Sequence, residues 1–142
     1  MTLLDAYAVL ALALDEEAAS QIEEIVRSGN VAVTATNYFE ATDRLVRGSG
    51  WSPHETSGRF ALLFGNLVDV VPVDAAVAWH GALLRARYYH RTTCAVSLAD
   101  CVLLASAGPE DCIATADPAV AAVARAEGLG LIPLPDSSGR RP

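Results

Sequence analysis

The chain has 142 residues, the size of one ordinary domain, and its 52% hydrophobic and 19% charged residues exclude disorder for all but its ends. Seventeen acidic and ten basic residues give a net charge of −7, so the overall field repels nucleic acid and any contact with it must be local. All ten basic residues are arginine, which excludes mechanisms that need a lysine, such as a P-loop or a Schiff base.

The apolar spacing alternates between short strands and amphipathic helices along the whole chain. In chain order it predicts a strand over 2–5, helices over 6–14 and 18–28, a strand over 31–34, helices over 37–48 and 53–67, a strand over 68–73, helices over 74–89 and 97–106, a strand over 113–115, a helix over 118–127 and a strand over 129–134. One domain over residues 1–135 follows, with a loose tail over 136–142.

Five apolar strands separated by helices predict a three-layer α/β/α fold with a five-stranded, mainly parallel sheet. In such a sheet each strand passes into its helix at the carboxyl edge, which is where open α/β sheets hold ligands. We therefore expect the functional residues at that edge.

Three cysteines, Cys94, Cys101 and Cys112, are spaced by seven and eleven residues without a CxxC pair. We expect buried reduced thiols rather than zinc ligands or disulfides. The longest apolar run, residues 3–14, is interrupted by Asp5 and lacks a preceding basic stretch. We expect neither a signal peptide nor a membrane anchor, and hence a cytoplasmic protein.

Four acidic residues are predicted at the carboxyl edge: Asp5, Glu40, Asp100 and Asp117. Asp5 ends the first strand, and Asp117 closely follows a later one. Both can be explained as helix N-caps. For Asp117 this explanation is supported by Pro118, because proline is favoured at the first helical position.

The other two acids also have structural explanations. Asp100 lies three residues after Ser97, which is the spacing of a capping box with Asp in place of Glu. Glu40 precedes Arg44 by four residues, the favourable order for an ion pair on a helix. Taken singly, each of the four acids is more often structural than catalytic.

Together, the four acids indicate a metal site if they converge. Neighbouring strands lie about 4.8 Å apart, and two carboxylates at about 5 Å repel by about 3 kcal/mol at an effective dielectric of about 20. A divalent cation would relieve that repulsion, and an all-carboxylate site suits Mg²⁺ or Mn²⁺ rather than zinc or copper. Periodicity alone does not show that the acids converge.

Four stretches carry a family resemblance: LLDAYAVLALALDEE (3–17), ATNYFEATDRL (35–45), VSLADCVLLASA (96–107) and ATADPAVAAVARAEGLGLIPLP (114–135). In order and spacing they resemble the successive motifs of the PIN domain, and within that family the VapC-type bacterial toxins. The resemblance implies that Asp5, Glu40, Asp100 and Asp117 bind the metal. It implies hydrolysis of RNA phosphodiester bonds with Mg²⁺ or Mn²⁺.

Two hydroxyl residues are expected to support the acids. The resemblance implies that Thr115, two residues before Asp117, hydrogen-bonds to the ligand set. Where some relatives carry a further acid, this chain has Ser97, which can cap the helix or bind a water. Many relatives place Thr or Ser directly after the first acid; here Ala6 and Tyr7 follow it, so a hydroxyl that orients Asp5 is missing.

Arginine is the only cationic side chain available to hold RNA phosphates. Candidates near predicted helix ends and loops are Arg44, Arg47, Arg85, Arg87 and Arg91. For any single one, an ion pair on a solvated helix face is the stronger explanation.

The resemblance also implies partners: a small VapB-like antitoxin and a second copy of the chain. Leu10, Leu14, Ile22 and Val26 on the first two helices are candidates for the antitoxin contact, although burial in the core explains them equally well. The residue pattern leaves three functions open. These are a toxin ribonuclease, a processing nuclease without antitoxin, and a catalytically weak binding or regulatory module.

Overall fold

The computed structural model describes all 142 residues and has a three-layer α/β/α architecture, as predicted. The strands are β1 Thr2–Leu4, β2 Val31–Thr34, β3 Asp69–Val71, β4 Cys112–Thr115 and β5 Gly130–Pro133. The helices are α1 Ala6–Leu14, α2 Ala19–Ser28, α3 Ala35–Asp43, α4 Pro53–Leu63, α5 Ala75–Tyr88, α6 Leu98–Ser106 and α7 Pro118–Ala126. A π-helical turn, Arg44–Gly48, extends α3.

The sheet is parallel throughout, with strand order β3-β2-β1-β4-β5. The first strand, β1, is therefore central and is flanked by β2 and β4. These three strands all lead into helices at the same edge of the sheet, because parallel strands share a direction. The strand order could not be read from periodicity, and it is what places the chain segments after β1 and β4 next to each other.

Each face of the sheet has its own hydrophobic core. Leu4 points to the layer built from α1, α2, α3 and α4, and Leu3 points to the layer built from α5, α6 and α7. Both leucines are fully buried. The alternation follows from the two-residue period of a strand, which sends neighbouring side chains to opposite faces.

The core includes three of the residues predicted as candidates for an antitoxin contact. Leu10, Ile22 and Val26 are buried in the first core, whereas Leu14 at the end of α1 is 36% exposed. Burial against the sheet, rather than a surface role, therefore accounts for those three apolar positions.

Most helix ends lie within one residue of the prediction, and two differ by more. α3 begins at Ala35 instead of residue 37, because the Thr34 side chain caps it by accepting a hydrogen bond from the Asn37 backbone N–H at 3.2 Å. α4 ends at Leu63 instead of residue 67. Gly65 turns the chain with a φ of +81°, which lets Val68 enter the core and excludes a longer helix.

Residues 136–142 make hydrogen bonds of their own. Asp136 accepts from the backbone N–H groups of Ser138 and Arg140, and the Arg141 guanidinium donates to Gln21 Oε1 at 2.9 Å. The Arg141 contact ties the segment to α2. The division of the chain at residue 135 stays a prediction. No helix is both long enough and apolar enough to cross a membrane.

Gly130→Ala is expected to destabilise the protein by about 1–3 kcal/mol through overpacking between β4 and β5. A Cβ atom at Gly130 would lie 2.5 Å from Cys112 Sγ and 2.8 Å from the Asp111 carbonyl oxygen. Gly58→Ala is the control, because a Cβ there meets nothing within 4 Å and Ala is the better helix former. Urea denaturation of both variants measures the difference; equal stability would contradict the packing argument.

Candidate active site

The carboxyl edge of the sheet carries a cavity of about 290 Å³ beside β1. All four predicted acids line it, together with one arginine: the wall consists of Asp5, Ala6, Tyr7, Glu40, Arg44, Ala95, Ser97, Asp100 and Asp117. Asp5 follows β1 and Asp117 follows β4 by two residues, so the parallel pairing of these strands places both at the cavity. α3 and α6 contribute Glu40 and Asp100.

Asp5 is the buried member of the group, with 4% of its surface exposed. Its Oδ1 accepts a hydrogen bond from the Ala8 backbone N–H at 2.7 Å, which caps α1. Its Oδ2 accepts from the Thr115 hydroxyl at 2.5 Å. The pKa of Asp5 is raised to about 7, chiefly by burial and to a smaller extent by the Asp100 and Asp117 carboxylates, against the lowering effect of both hydrogen bonds.

Thr115 connects the acids that follow β1 and β4. Its fully buried hydroxyl donates to Asp5 and accepts from the Asp117 backbone N–H at 3.0 Å. The Asp117 carboxylate in turn caps α7 by accepting from the Ala119 backbone N–H at 2.6 Å. The hydroxyl therefore fixes the orientation of Asp5 relative to the turn that holds Asp117. A hydrogen bond from Thr115 to one of the four acids is what the family resemblance implied.

Asp100 and Ser97 form the capping box that their spacing predicted. The Ser97 backbone N–H donates to Asp100 Oδ2 at 2.7 Å, and the Asp100 N–H donates to Ser97 Oγ at 3.1 Å. One carboxylate oxygen of Asp100 is thus used to start α6, and the other carries no hydrogen bond within the protein. Ser97 itself lines the cavity beside Asp100.

Glu40 is paired with the arginine of the cavity wall. Its Oε1 lies 2.8 Å from Arg44 Nη2, as expected for residues four apart on a helix. Because α3 begins at Ala35, Glu40 lies in the second turn of that helix. The pair is partly open to solvent, with side-chain exposures of 27% for Glu40 and 59% for Arg44.

The donor set fits a hard divalent cation in its chemistry. Four carboxylates supply only oxygen ligands, and no histidine or cysteine lines the cavity. Burial and the Asp100 and Asp117 carboxylates raise the pKa of Asp5, and no positively charged group acts against them. As placed, however, no three carboxylates, histidines or cysteines lie close enough together to hold one ion, so the side chains must turn inward to bind it.

The other predicted phosphate contacts lie outside the cavity wall. Arg47 pairs with Asp43 at 2.7 Å on the exposed side of the π-helical turn. Arg87 pairs at 2.9 Å with Glu127, at the end of α7 opposite Asp117 and about 15 Å away from it by helix rise. Arg91 is exposed in the turn between α5 and α6.

Arg85 is also engaged elsewhere. Its guanidinium donates to the Val96 carbonyl oxygen and lies 4.1 Å from the centre of the Tyr89 ring. Arg44 is therefore the arginine that the fold brings to the four acids.

Sequence reasoning missed the role of Tyr7 as part of the wall. Its hydroxyl donates to the Pro135 carbonyl oxygen at 3.0 Å, which fixes the ring beside Asp5. Burial raises the pKa of Tyr7, and the nearby Glu16, Asp136 and Asp5 carboxylates add to this. The available signal was its position, two residues after an acid that ends a strand, in the first turn of the next helix.

Thr115→Val is expected to weaken binding of Mn²⁺ about 10- to 100-fold, the usual effect of removing a residue that orients a metal ligand. Valine keeps the shape but leaves Asp5 Oδ2 and the Asp117 N–H without partners. Thr115→Ser keeps the hydroxyl and should restore most of the affinity. Calorimetric titration with Mn²⁺ compares the variants. Equal affinity in the valine and serine variants would exclude the orienting role.

Comparison with known proteins assigns the chain to a family. The model of the PIN domain matches residues 2–126. Among solved structures, FitAcB from Neisseria gonorrhoeae is similar, with a TM-score of 0.64 and 18% identity over 93% of this chain and 96% of that one. VapBC2 from Rickettsia felis, bound to a DNA fragment from its promoter, is similar with a TM-score of 0.62 and 13% identity over 92% of this chain and 96% of that one.

Both structures share the fold across nearly the whole chain, and no curated protein matches the sequence. The family model covers the strands and helices that position all four acids, from β1 to the end of α7. The chain therefore belongs to the PIN domain family.

Proposed function

We propose that the protein is a Mg²⁺- or Mn²⁺-dependent endoribonuclease that hydrolyses RNA phosphodiester bonds and acts as the toxin of a toxin–antitoxin pair. Members of the PIN domain family are nucleases. The observation that carries the proposal is the cavity at the carboxyl edge, where Asp5, Glu40, Asp100 and Asp117 share one wall. Neither lysine nor histidine is present in that wall, which leaves the carboxylates as the chemically competent groups.

The chain's own residues prepare this site. Asp5, Asp100 and Asp117 would hold the cation, with Glu40 as a fourth ligand after it leaves Arg44. When bound, the cation would neutralise charge on the phosphate and acidify an attacking water. Thr115 keeps one oxygen of Asp5 fixed, and the caps at α6 and α7 hold Asp100 and Asp117. The Asp5 pKa of about 7 means that, without a cation, this carboxyl is often protonated at neutral pH.

A chelator-sensitive RNA cleavage assay tests the reaction class. The purified protein is expected to cut single-stranded RNA with Mg²⁺ or Mn²⁺, to stop in excess EDTA, and to resume when Mn²⁺ is restored. Mapping the cut ends would give the sequence preference. Cleavage that continues in EDTA would contradict the metal dependence.

The third possibility, a binding or regulatory module with weak catalysis, is favoured by one observation. Every site acid already has a structural partner, and no three of them close around one point. A Mn²⁺ titration separates the two functions. Binding that is lost in Asp5→Asn supports the enzyme, whereas no measurable binding at millimolar Mn²⁺ supports the module.

A VapBC complex among the structural neighbours supports a proposal about partners. We propose a small VapB-like antitoxin that binds this protein in the cytoplasm, and a homodimer to which α5 contributes. On α5, Trp79 and Leu83 are exposed. A short gene beside this one whose product co-purifies with it would support the toxin, and its absence would support a processing nuclease. Sedimentation of the purified chain tests the dimer.

A further inference from the structure

The cavity of four acids contains one positive charge of its own, the Arg44 guanidinium. It lies 2.8 Å from Glu40, and both side chains line the cavity. Two similar pairs on the surface, Glu23 with Arg27 and Asp43 with Arg47, have the same four-residue spacing but lie outside it. Of these three pairs, Glu40 with Arg44 is the one whose two members both line the cavity.

A cation and Arg44 compete for the same carboxylate. Glu40 Oε1 forms an ion pair with the guanidinium, and an ion that binds this oxygen would displace Arg44 from it. Arg44 then stays within the cavity on the same helix turn, because its backbone position is fixed by α3 and the following π-helical turn. A guanidinium released in this way can donate to a phosphate oxygen, since its planar N–H groups match phosphate geometry.

We propose that Arg44 exchanges partners, from Glu40 in the metal-free protein to a phosphate oxygen of RNA in the metal-bound one. This inference rests on the proposed function and adds a substrate-binding role that depends on the cation. It makes the arginine a counter-ion that stabilises the empty cavity and a phosphate ligand in the loaded one. RNA binding and metal binding are thereby coupled through a single side chain.

Arg44→Gln tests the exchange because its two expected effects have opposite signs. Without the competing guanidinium, Mn²⁺ should bind about 3- to 10-fold more tightly in calorimetry without RNA, since the displaced ion pair is partly exposed and weak. At saturating Mn²⁺, the KM for RNA should rise about tenfold, the effect of losing one charge-assisted hydrogen bond. If Arg44 had only a structural role, Arg44→Gln would weaken both Mn²⁺ binding and RNA binding.

Two further variants locate the effect. Arg27→Gln removes the matched surface pair on α2 and should change neither quantity. In a Glu40→Gln background, Arg44→Gln should tighten Mn²⁺ binding much less, because the competition occurs at that carboxylate. Unchanged or weaker Mn²⁺ binding in Arg44→Gln would overturn the exchange, and so would an unchanged KM.

These experiments distinguish failure of the partner exchange from failure of the proposed function. If the wild-type protein binds no Mn²⁺ and cuts no RNA, the proposed ribonuclease is wrong and the exchange fails with it. If the wild type binds Mn²⁺ and cuts RNA while Arg44→Gln behaves like the wild type, only the exchange is wrong.

Discussion

Asp5→Asn is expected to reduce RNA cleavage at least 1000-fold, an order of magnitude typical for losing a group on which the transition state depends. Asn keeps the size of the side chain and one carbonyl oxygen, which can still accept from the Ala8 N–H. It removes the negative charge at the most buried of the four acids. The kcat measured at saturating Mn²⁺ is the quantity to compare.

Asp74→Asn is the matched control for this loss. Asp74 caps α5 as Asp5 caps α1, by accepting a backbone N–H three residues later at 2.8 Å. It is exposed and lies outside the cavity. Normal activity in Asp74→Asn together with loss in Asp5→Asn separates a role in the chemistry from a role in capping. Equal activity in both variants would remove Asp5 from the reaction.

Asp5→Asn should also make the metal-free protein more stable than the wild type at alkaline pH. The pKa of Asp5 is about 7 in the folded protein and near 3.8 when the side chain is solvated. The folded state therefore holds this proton more tightly, and the free energy of unfolding falls as pH rises from about 4 to 7. Asn carries no titrating proton, so this contribution to the slope disappears in Asp5→Asn.

Urea denaturation in EDTA at pH 5 and at pH 8 measures the effect. Between pH 5 and pH 8 the wild type should lose about 3 kcal/mol of stability relative to Asp5→Asn. The loss arises over about two pH units in which Asp5 is protonated in the folded protein and ionised in the unfolded chain. Mn²⁺ should restore wild-type stability at pH 8 and have little effect on the variant. The same pH dependence in both proteins would mean that Asp5 is ionised in the folded state without penalty.

Much of the fold was predictable because local patterns agree with the packing. The β-branched run at Val31–Thr34 and the apolar run at Ala6–Leu14 gave the strand and helix that the structure contains. The end of α4 was missed because Phe64 and Leu67 continue a helical spacing, whereas Gly65 breaks it through a backbone conformation that spacing does not encode.

The site was predictable only in part. Asp5 and Asp117 follow strands, so their place at the carboxyl edge came from periodicity, but their shared cavity depends on β1 pairing with β4. That order arises from long-range packing. Arg87 was a candidate phosphate contact because it lies near a helix end. The structure pairs it instead with Glu127, forty residues away. No local pattern indicates such a contact.

In the proposed enzyme the four acids hold one or two divalent cations, although each is otherwise a helix cap or an ion-pair partner. Anomalous diffraction from crystals soaked in Mn²⁺ tests it most directly. We predict a peak about 2.1 Å from a carboxylate oxygen of Asp5 and of at least one of Asp100 and Asp117, with Arg44 turned away from Glu40. No peak in this cavity at millimolar Mn²⁺, with all four acids still in their present partnerships, would contradict the account.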